Sequence, residues 1–527
     1  MFLGKINLES ANVLIDSLVQ TGVTQFFIAP GSRSTSLTLA AINHSKTVCS
    51  SHFDERGLGF QALGFAIGSK KTAAIIVSSG TAVGNLLPAI MEAHHSNVSL
   101  LVLTADRPPE LRDSSANQTT HQTKIFSPFV RFEKEILLSD PHFSKKALSS
   151  FASYAVYKAR NGPVHLNVMS REPFFEKTSP SEFIAPKYFS AEPQKIEVPA
   201  FFDPDKKGLI LIGKTEENLE PIFELSERLS CPIFADILSN GRSYPKHPHV
   251  VDSFDLLLKG RDFPKPDYVL HFGGRFVSKK VFSWLQERKV YANIQEADEC
   301  FDPYQLVTHH FKTSLKSFCE ACPGSSDQSV ETFSLDLKIS EDTEPGYMQQ
   351  LGKHFPKNTS LFLANSMPIR DADNFFFPNN APKRIFANRG VSGIDGNIAT
   401  AVGLSKAVGP LIAVLGDLAC LHDLNSLALA KGLPILFIVF NNSGGGIFSH
   451  LPVAEEKQGF DEFFTCKHGH SFEKAAKLFG LEYLSTFKKS YPMVEPTLLE
   501  IKTSTNKNVS AYQEIIEGIS SCCQLSN

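Results

Sequence analysis

Short apolar runs alternate with longer stretches of helical periodicity along the whole chain. The runs that predict buried strands lie at 25–29, 48–53, 72–77, 100–103, 209–212, 233–235, 268–272, 361–364, 411–415 and 435–440. Helices are predicted between them, among others at 58–67, 82–93 and 421–431. Short apolar strands separated by helices are typical of βαβ units, so we expect an α/β protein with parallel sheets flanked by helices.

Two stretches rich in proline or in acidic residues interrupt this alternation of strands and helices. Residues 173–200 contain five prolines, and residues 320–346 contain seven acidic residues against one basic residue. Such segments bury little apolar surface and are typical of solvated connections. The sequence therefore predicts three domains, at residues 1–175, 195–325 and 345–527, each of ordinary domain size.

Composition narrows the class of protein. The chain has 527 residues, 42 % of them hydrophobic, and a net charge of −3, which favours a globular protein and argues against nucleic acid as a partner. No apolar run approaches the roughly 20 residues of a membrane span, and the first ten residues lack the apolar core of a signal peptide. Nine scattered cysteines, including one Cys319–Cys322 pair without a second pair at zinc spacing, favour a reducing, cytoplasmic location.

The most informative segment lies in the third predicted domain. Asp417 follows one predicted strand, and Asn442 follows the next. Side chains at the ends of neighbouring parallel strands meet at the edge of the sheet where α/β proteins bind ligands. A carboxylate, an amide oxygen and a loop carbonyl suit Mg²⁺, and the glycines at 444–446 let backbone N–H groups approach a diphosphate. The alternative is an ordinary strand–loop–helix with a capping Asp and an Asn–Gly turn.

Other polar residues also follow predicted strands. Asp54 and Glu55 come after a strand, where the simplest interpretation is that they cap a helix. Loops at 30–34, 105–109, 117–118 and 366–370 carry arginines or polar pairs. Guanidinium groups bind carboxylates through two hydrogen bonds, so several arginines at one edge indicate an anionic substrate with more than one carboxylate.

One motif is predicted to be misleading. Residues 208–215, GLILIGKT, match the phosphate-binding pattern GxxxxGK[ST]. The four spacer residues are Leu-Ile-Leu-Ile, which form the strand itself, whereas a true phosphate loop follows its strand and curls around the phosphate. We therefore expect no nucleotide site at Lys214.

Together the motifs resemble one family. Gly416-Asp417 with Asn441-Asn442 is similar to the thiamine-diphosphate motif, although Leu418 replaces its second glycine. The chain resembles the 2-succinyl-5-enolpyruvyl-6-hydroxy-3-cyclohexene-1-carboxylate synthases of menaquinone biosynthesis, strongly in its first and third parts and loosely in the middle. The motifs that carry this resemblance are PGSRSTSL (30–37), HFDERGLGF (52–60), SGTAVGNLLPA (79–89), TADRPPELRDSSANQ (104–118), RGVSGIDG (389–396) and NNSGGGIFSHLP (441–452).

The resemblance implies an activity and an architecture. It implies a transferase that uses thiamine diphosphate and Mg²⁺ (or Mn²⁺) to decarboxylate 2-oxoglutarate and add the succinyl carbanion equivalent to isochorismate. It also implies a pyrimidine-binding domain, a central domain and a diphosphate-binding domain, in that order. The family assembles as a homodimer or a dimer of dimers, with each site shared between two chains.

The resemblance also implies roles for individual residues. Glu55 would activate the cofactor's pyrimidine ring. The metal ligands would be Asp417, Asn442 and the carbonyl of Gly444. The other cofactor contacts would be Arg389, Ile394, Leu418, Gly445, Ile447 and Phe448. The substrate pocket would contain Ser32, Arg33, Arg107, Asn117, Gln118, Ser366 and Arg370. From the central domain Lys279 and Lys280 would reach the pocket. The family pattern has Lys-Arg at these two positions, and the second Lys keeps the charge but cannot make the bidentate contact of Arg.

Two alternatives remain at this point. One is another thiamine-diphosphate decarboxylase or carboligase that acts on pyruvate or a branched 2-oxo acid, a substrate that needs fewer arginines. The other is a cofactor-free relative that serves as an interaction subunit. The joint presence of Glu55, Asp417 and Asn442 argues against the second alternative.

Overall fold

The protein is described from a computed structural model. It describes residues 3–142, 144–176, 184–188, 200–242, 247–260, 263–286, 290–297, 300–325 and 338–522. Within these ranges the chain forms three sheets, each of six parallel strands. This confirms the predicted α/β class. No helix in the described ranges has the length and apolar character that crossing a bilayer requires.

The first sheet has the strand order β2-β1-β3-β4-β6-β5. Its strands are β1 (Gln25–Ile28), β2 (Val48–Ser51), β3 (Ala73–Val77), β4 (Leu100–Asp106), β5 (Glu133–Leu137) and β6 (Val164–Met169). The helices around it are Leu3–Gln20, Thr35–Asn43, Glu55–Ser69, Thr81–Gly84, Leu87–His95 and Lys145–Ala159. The single helix predicted at 82–93 is wrong: it is two helices, because Pro88 at the start of the second lacks the N–H that would continue the first. The strand predicted at 48–53 ends at Ser51.

The middle sheet has the order β12-β11-β10-β7-β8-β9. Its strands are β7 (Gly208–Ile212), β8 (Ile233–Ala235), β9 (Val250–Val251), β10 (Tyr268–Phe272), β11 (Val290–Gln295) and β12 (His309–Lys312). Its helices are Glu220–Leu229, Phe254–Gly260, Lys280–Trp284 and Leu315–Ala321. The apolar spacer of the phosphate-loop pattern is strand β7, which pairs with a strand on each side and cannot curl around a phosphate. Cys319 and Cys322 are free, buried thiols, and the described residues contain no cluster of His, Cys, Asp and Glu that could hold a metal beside them.

The third sheet has the order β14-β13-β15-β16-β18-β17, which repeats the connectivity of the first. Its strands are β13 (Ser360–Leu363), β14 (Ile385–Phe386), β15 (Leu411–Gly416), β16 (Ile435–Asn441), β17 (Glu482–Leu484) and β18 (Thr497–Lys502). Its α-helices are Glu344–Lys353, Met367–Phe375, Asn397–Val408, Asp417–His422, Glu473–Phe479 and Thr505–Cys522.

Two predictions for this region need correction. The helix predicted at 421–431 is wrong, because the α-helix ends at His422 and a 3-10 segment, Leu424–Ala430, follows. There the Asp423 carboxylate accepts from Ser426 and from the N–H of Ala399, and such side-chain bonds compete with helix formation. The connection predicted at 320–346 is too long, since Glu344 is buried and begins a helix; residues 326–337 lie outside the described ranges.

The first and third domains of the chain pack through one close helix pair. Helix Glu55–Ser69 crosses helix Asn397–Val408, and glycines on both sides allow the contact. A Cβ on Gly64 would lie 2.1 Å from the carbonyl oxygen of Thr400, and one on Gly403 would lie 2.1 Å from that of Gln61. Because neither backbone could yield that much, both glycines are required for the crossing that fixes the two domains together.

Candidate active site

Three adjacent strands of the third sheet bring polar residues to one edge. Strands β13, β15 and β16 are neighbours, and Ser366, Asp417 and Asn442 come shortly after their carboxyl ends. Asp417 contacts the glycine turn directly, since its Oδ2 accepts from the N–H of Gly444 at 2.9 Å. This edge is where open α/β sheets bind ligands.

Asp417 is held as a buried carboxylate. Its side chain is 2 % exposed, Oδ1 accepts from the N–H of Leu418 at 2.7 Å, and His468 Nε2 lies 3.3 Å from Oδ2. Burial raises the pKa of the Asp417 carboxyl, because the charged form loses its water. A bound cation would reverse this disadvantage, so the position suits a metal ligand.

Asn442 presents an unused acceptor to the same turn. Its Nδ2 donates to Glu344 Oε1 at 2.9 Å, whereas its Oδ1 is buried and has no hydrogen-bond partner in the described residues. A buried polar atom without a partner is costly, and a hard divalent cation binds this type of oxygen. Asp417, Asn442 and the Gly444 carbonyl therefore fit a magnesium site.

The glycine turn is covered by a later segment of the chain. Gly444 has φ +152°, and a Cβ there would lie 2.5 Å from the carbonyl oxygen of Thr465. The N–H of Gly445 donates to that same oxygen at 2.6 Å, and the N–H of His468 donates to the Ser443 carbonyl at 3.2 Å. Ile447 and Phe448 follow in a half-buried 3-10 turn, Gly446–His450. The later segment can pack this closely on the turn only because Gly444 has no side chain.

A loop after β14 carries two further predicted cofactor residues. Arg389 donates to Asn365 Oδ1 at 2.8 Å, and Asn365 Nδ2 donates to the Asn388 and Gly393 carbonyls at 2.8 Å each. Ile394 lies on the same loop and is 39 % exposed. The sequence analysis missed Asn365, although it directly precedes Ser366 and could have been found there.

Arg370 is a half-buried arginine whose charge acts on Arg389. Arg370 Nη1 donates to the Ser366 carbonyl at 2.5 Å. Ser366 has a φ of +74°, which is strained for a residue other than glycine. Burial lowers the pKa of Arg370. Burial and then the charge of Arg370 lower the pKa of Arg389. Two partly desolvated cations whose charges repel each other favour the binding of an anionic ligand.

The first domain forms a second cationic group. Arg107 donates to Ser79 Oγ, and Gln118 Nε2 donates to the Ser79 carbonyl at 2.9 Å. Burial and then the charge of Arg107 lower the pKa of Arg33, so these two guanidinium groups are also neighbours. The structure thus brings together Arg33, Arg107 and Gln118 as predicted. The two other predicted pocket residues of this domain, Ser32 and Asn117, are exposed on the same loops.

Glu55 is the first residue of its helix, and the capping role belongs to Asp54. The Asp54 side chain accepts from the N–H of Arg56 at 3.0 Å, so the half-buried Glu55 does not cap the helix. The helix start packs on the segment after Asp417 in the same chain, because Arg56 donates to the His422 carbonyl at 2.8 Å.

The central domain reaches the third domain through the loop after β10. Arg275 donates to the Arg389 carbonyl at 3.1 Å, and Val277 packs into the core of the third domain. Lys279 and Lys280 follow and are exposed. Across the described ranges no hydrogen bond joins them to the two arginine groups.

Comparisons with known proteins agree with this arrangement. Residues 8–125 match the N-terminal TPP binding domain of thiamine pyrophosphate enzymes, residues 190–363 their middle domain, and residues 370–508 their C-terminal TPP binding domain.

Similar sequences carry one name. Proteins named 2-succinyl-5-enolpyruvyl-6-hydroxy-3-cyclohexene-1-carboxylate synthase are 35 % identical in Rubrobacter xylanophilus (96 % of this chain and 97 % of the relative) and 34 % identical in Haemophilus influenzae (97 % of each). Among solved structures, benzoylformate decarboxylase from Polynucleobacter necessarius has a TM-score of 0.75 at 15 % identity, covering 94 % of this chain and 99 % of that one. That structural similarity concerns the fold of the chain alone.

Proposed function

This chain belongs to the 2-succinyl-5-enolpyruvyl-6-hydroxy-3-cyclohexene-1-carboxylate synthase family of thiamine pyrophosphate enzymes, and we propose that it acts on 2-oxoglutarate and isochorismate. The resemblance predicted from the motifs is confirmed. The chain is a thiamine-diphosphate-dependent transferase that forms a carbon–carbon bond, and not a cofactor-free interaction subunit. We further propose that it works in the cytoplasm, in menaquinone biosynthesis.

The third domain would hold the metal and the diphosphate. Asp417, Asn442 and the Gly444 carbonyl would bind Mg²⁺ or Mn²⁺, and the backbone at Leu418 and Gly445 would contact the diphosphate. When bound, thiamine diphosphate supplies a nucleophilic carbon and an electron sink for decarboxylation. The apolar residues that would line it are Ile394, Ile447 and Phe448.

Glu55 would hold the proton that activates the cofactor. Its carboxyl group would share a proton with the N1′ nitrogen of the pyrimidine ring. Proton transfer by a positioned side chain typically contributes about 10²- to 10⁴-fold to a rate. Glu55 is free to act in this way because Asp54 caps the helix.

The observation that carries the substrate proposal is two groups of partly or fully buried arginines, Arg370 with Arg389 and Arg33 with Arg107. A dicarboxylic 2-oxo acid keeps one carboxylate after decarboxylation, and Arg370 with Ser366 would bind it, with Arg389 close by. Arg33, Arg107 and Gln118 would bind the carboxylates of isochorismate, with Ser32, Asn117, Lys279 and Lys280 at the rim. A pyruvate-specific enzyme would leave the half-buried Arg370 without a substrate carboxylate to bind, which disfavours that alternative.

Exposed apolar residues beside both half-sites support a homodimer, or a dimer of dimers, as the working form. Phe53, two residues before Glu55, is 64 % exposed, Ile394 on the Arg389 loop is 39 % exposed, and Leu451, shortly after the glycine turn, is 45 % exposed. A second chain packed over these segments would remove their apolar side chains from water. We propose that the first domain of one chain, residues 1–175, faces the third domain of another, residues 345–527, while residues 195–325 form the central domain.

The decisive experiment supplies thiamine diphosphate, Mg²⁺, 2-oxoglutarate and isochorismate and detects the product by mass. We expect kcat/KM for 2-oxoglutarate to exceed that for pyruvate by at least about 10³-fold, because sites built for a charged group reject analogues without it. Arg370→Ala should cost roughly 2 to 5 kcal/mol with 2-oxoglutarate, the range for breaking a buried charge pair, and should leave cofactor affinity nearly unchanged.

The matched control is Arg160→Ala, which removes an exposed surface arginine whose guanidinium donates to the Tyr188 carbonyl and lies over the Tyr157 ring. It should behave as the wild type. Comparable use of pyruvate by the wild type, or an Arg370→Ala enzyme with unchanged donor preference, would refute the substrate assignment.

A further inference from the structure

Glu344 is a buried acid with an unusual concentration of hydrogen bonds on one oxygen. It is the last acidic residue of the stretch 320–346, begins helix Glu344–Lys353 and is 2 % exposed. Its Oε1 accepts from Asn442 Nδ2 at 2.9 Å, from Thr503 Oγ1 at 2.7 Å and from Asn508 Nδ2 at 2.8 Å. No other acid of that stretch, within the described residues, reaches the candidate metal site.

These bonds determine which way the Asn442 amide faces. The amide has one donor end and one acceptor end, and the donor end is bound to Glu344. The acceptor, Oδ1, is the end left without a partner. Gly446 leaves the room for this orientation, since a Cβ there would lie 2.8 Å from Asn442 Nδ2. If the amide rotated, it would present an N–H group to a cation.

We propose that Glu344 is a positioning residue that fixes the Asn442 amide with its oxygen toward the metal, an inference that rests on the proposed function. Partners that orient a metal ligand in this way typically contribute about 10- to 100-fold to metal affinity. Glu344 does so from a different segment of the chain, 98 residues before the ligand that it orients.

The use of a single oxygen makes the inference testable. Gln can place its one carbonyl oxygen where Oε1 lies and keep all three bonds, although it loses the charge. Asp keeps the charge, but its shorter side chain withdraws the oxygen from the three donors. If orientation matters, Glu344→Gln should therefore bind metal better than Glu344→Asp; if charge alone matters, the order should be reversed.

The experiment measures Mn²⁺ binding to the full-length protein in the presence of thiamine diphosphate. Free Mn²⁺ is followed by electron paramagnetic resonance, with a protein-free titration to subtract the complex of Mn²⁺ with the cofactor. We expect Kd to rise about 10- to 100-fold in Glu344→Asp and Glu344→Ala and to stay within about 3-fold in Glu344→Gln. The matched controls are Glu341→Asp and Glu341→Gln, which make the same changes at an exposed acid three positions earlier and should match the wild type.

The possible outcomes distinguish a failure of this inference from a failure of the proposed metal site. Wild-type protein that binds no Mn²⁺ would overturn the metal assignment and this inference with it. Wild-type binding together with an unaffected Glu344→Asp, or with Glu344→Gln weakened at least as much as Glu344→Asp, would overturn the inference alone. Thermal unfolding of each variant identifies loss of fold, and the order of Gln and Asp still decides the question if Glu344→Ala does not fold.

Discussion

Glu92 connects the first domain to the loop that carries Arg389 and Ile394, and replacing it tests how that loop is held. Glu92 lies on helix Leu87–His95 and is 1 % exposed. Its Oε1 accepts from the N–H of Gly390 at 2.6 Å, and its Oε2 accepts from the N–H of Val391 at 2.7 Å. Oε1 also accepts from the Ser96 hydroxyl at 3.0 Å, within the same helix end. Because the two bonds to the loop use different oxygens, Gln can preserve only one of them.

The free energy lost on replacing Glu92 depends on whether water can replace it as the acceptor for each N–H. The N–H of Gly390 is on a buried residue, so losing its acceptor costs about 1 to 3 kcal/mol. Val391 is 42 % exposed, so water can replace its acceptor and the loss is about 1 kcal/mol. Glu92→Gln, with its oxygen kept on Gly390, should lose only the second amount. Glu92→Ala should lose both, about 2 to 4 kcal/mol in total.

The assay is calorimetric titration of thiamine diphosphate in excess Mg²⁺, because cofactor binding requires an ordered loop. At 1.4 kcal/mol for each factor of ten, Glu92→Gln should weaken binding about 5-fold and Glu92→Ala about 30-fold or more. Glu110→Gln, at an exposed glutamate that pairs with Arg171, is the control and should bind normally. Equal affinities for Glu92→Ala and wild type would refute the argument, as would a Gln variant weaker than the Ala variant.

Three further predictions concern separate parts of the chain. Glu55→Gln should still bind thiamine diphosphate but slow exchange of its C2 proton by about 10²-fold or more; near-wild-type exchange by NMR would contradict the role of Glu55. Lys214→Ala should leave cofactor affinity and activity nearly unchanged, and specific ATP binding lost in this variant would show that the phosphate-loop pattern is functional. Burial raises the pKa of Glu217 to about 7, so its contribution to stability is present below about pH 4.5 and is lost as pH rises through 7. Glu217→Gln should therefore raise Tm relative to wild type at pH 8 and not at pH 4.5, and an equal shift at both would contradict this.

The sheets could be predicted because their central strands are buried on both faces. Such strands are continuous apolar runs, as in β3 or β16, and the sequence shows them directly. Three central strands, β6, β11 and β18, were missed because buried polar residues such as His165, Asn293 and Glu500 interrupt their apolar runs. Of the edge strands only β2 was predicted, and the others escaped because they are short or partly polar. The sequence of β5 is EKEIL, whose charged residues lie half in solvent, and β9 and β14 have only two residues each.

The candidate site divides in a similar way. Asp417, Asn442 and the loop arginines could be predicted because each follows an apolar strand closely in sequence. Glu92 and Glu344 could not, because their partners lie 298 and 98 residues away and local composition carries no sign of such a contact. The acidic composition around Glu344 even favoured the wrong interpretation. It predicts a solvent-exposed connection, whereas Glu344 is a buried hydrogen-bond acceptor.

The contacts within one chain restrict how two chains can share their sites. Glu92 holds the Arg389 loop of its own chain, and the Gly64–Gly403 helix crossing fixes the same two domains together. On the proposed dimer, the same first domain also offers Glu55 to the third domain of the other chain. One first domain then serves two sites, one through Glu92 and the other through Glu55. It follows that a dimer with both substitutions on one chain should be impaired at both sites, whereas a chain with Glu55→Gln alone should impair only the site built on its partner's third domain.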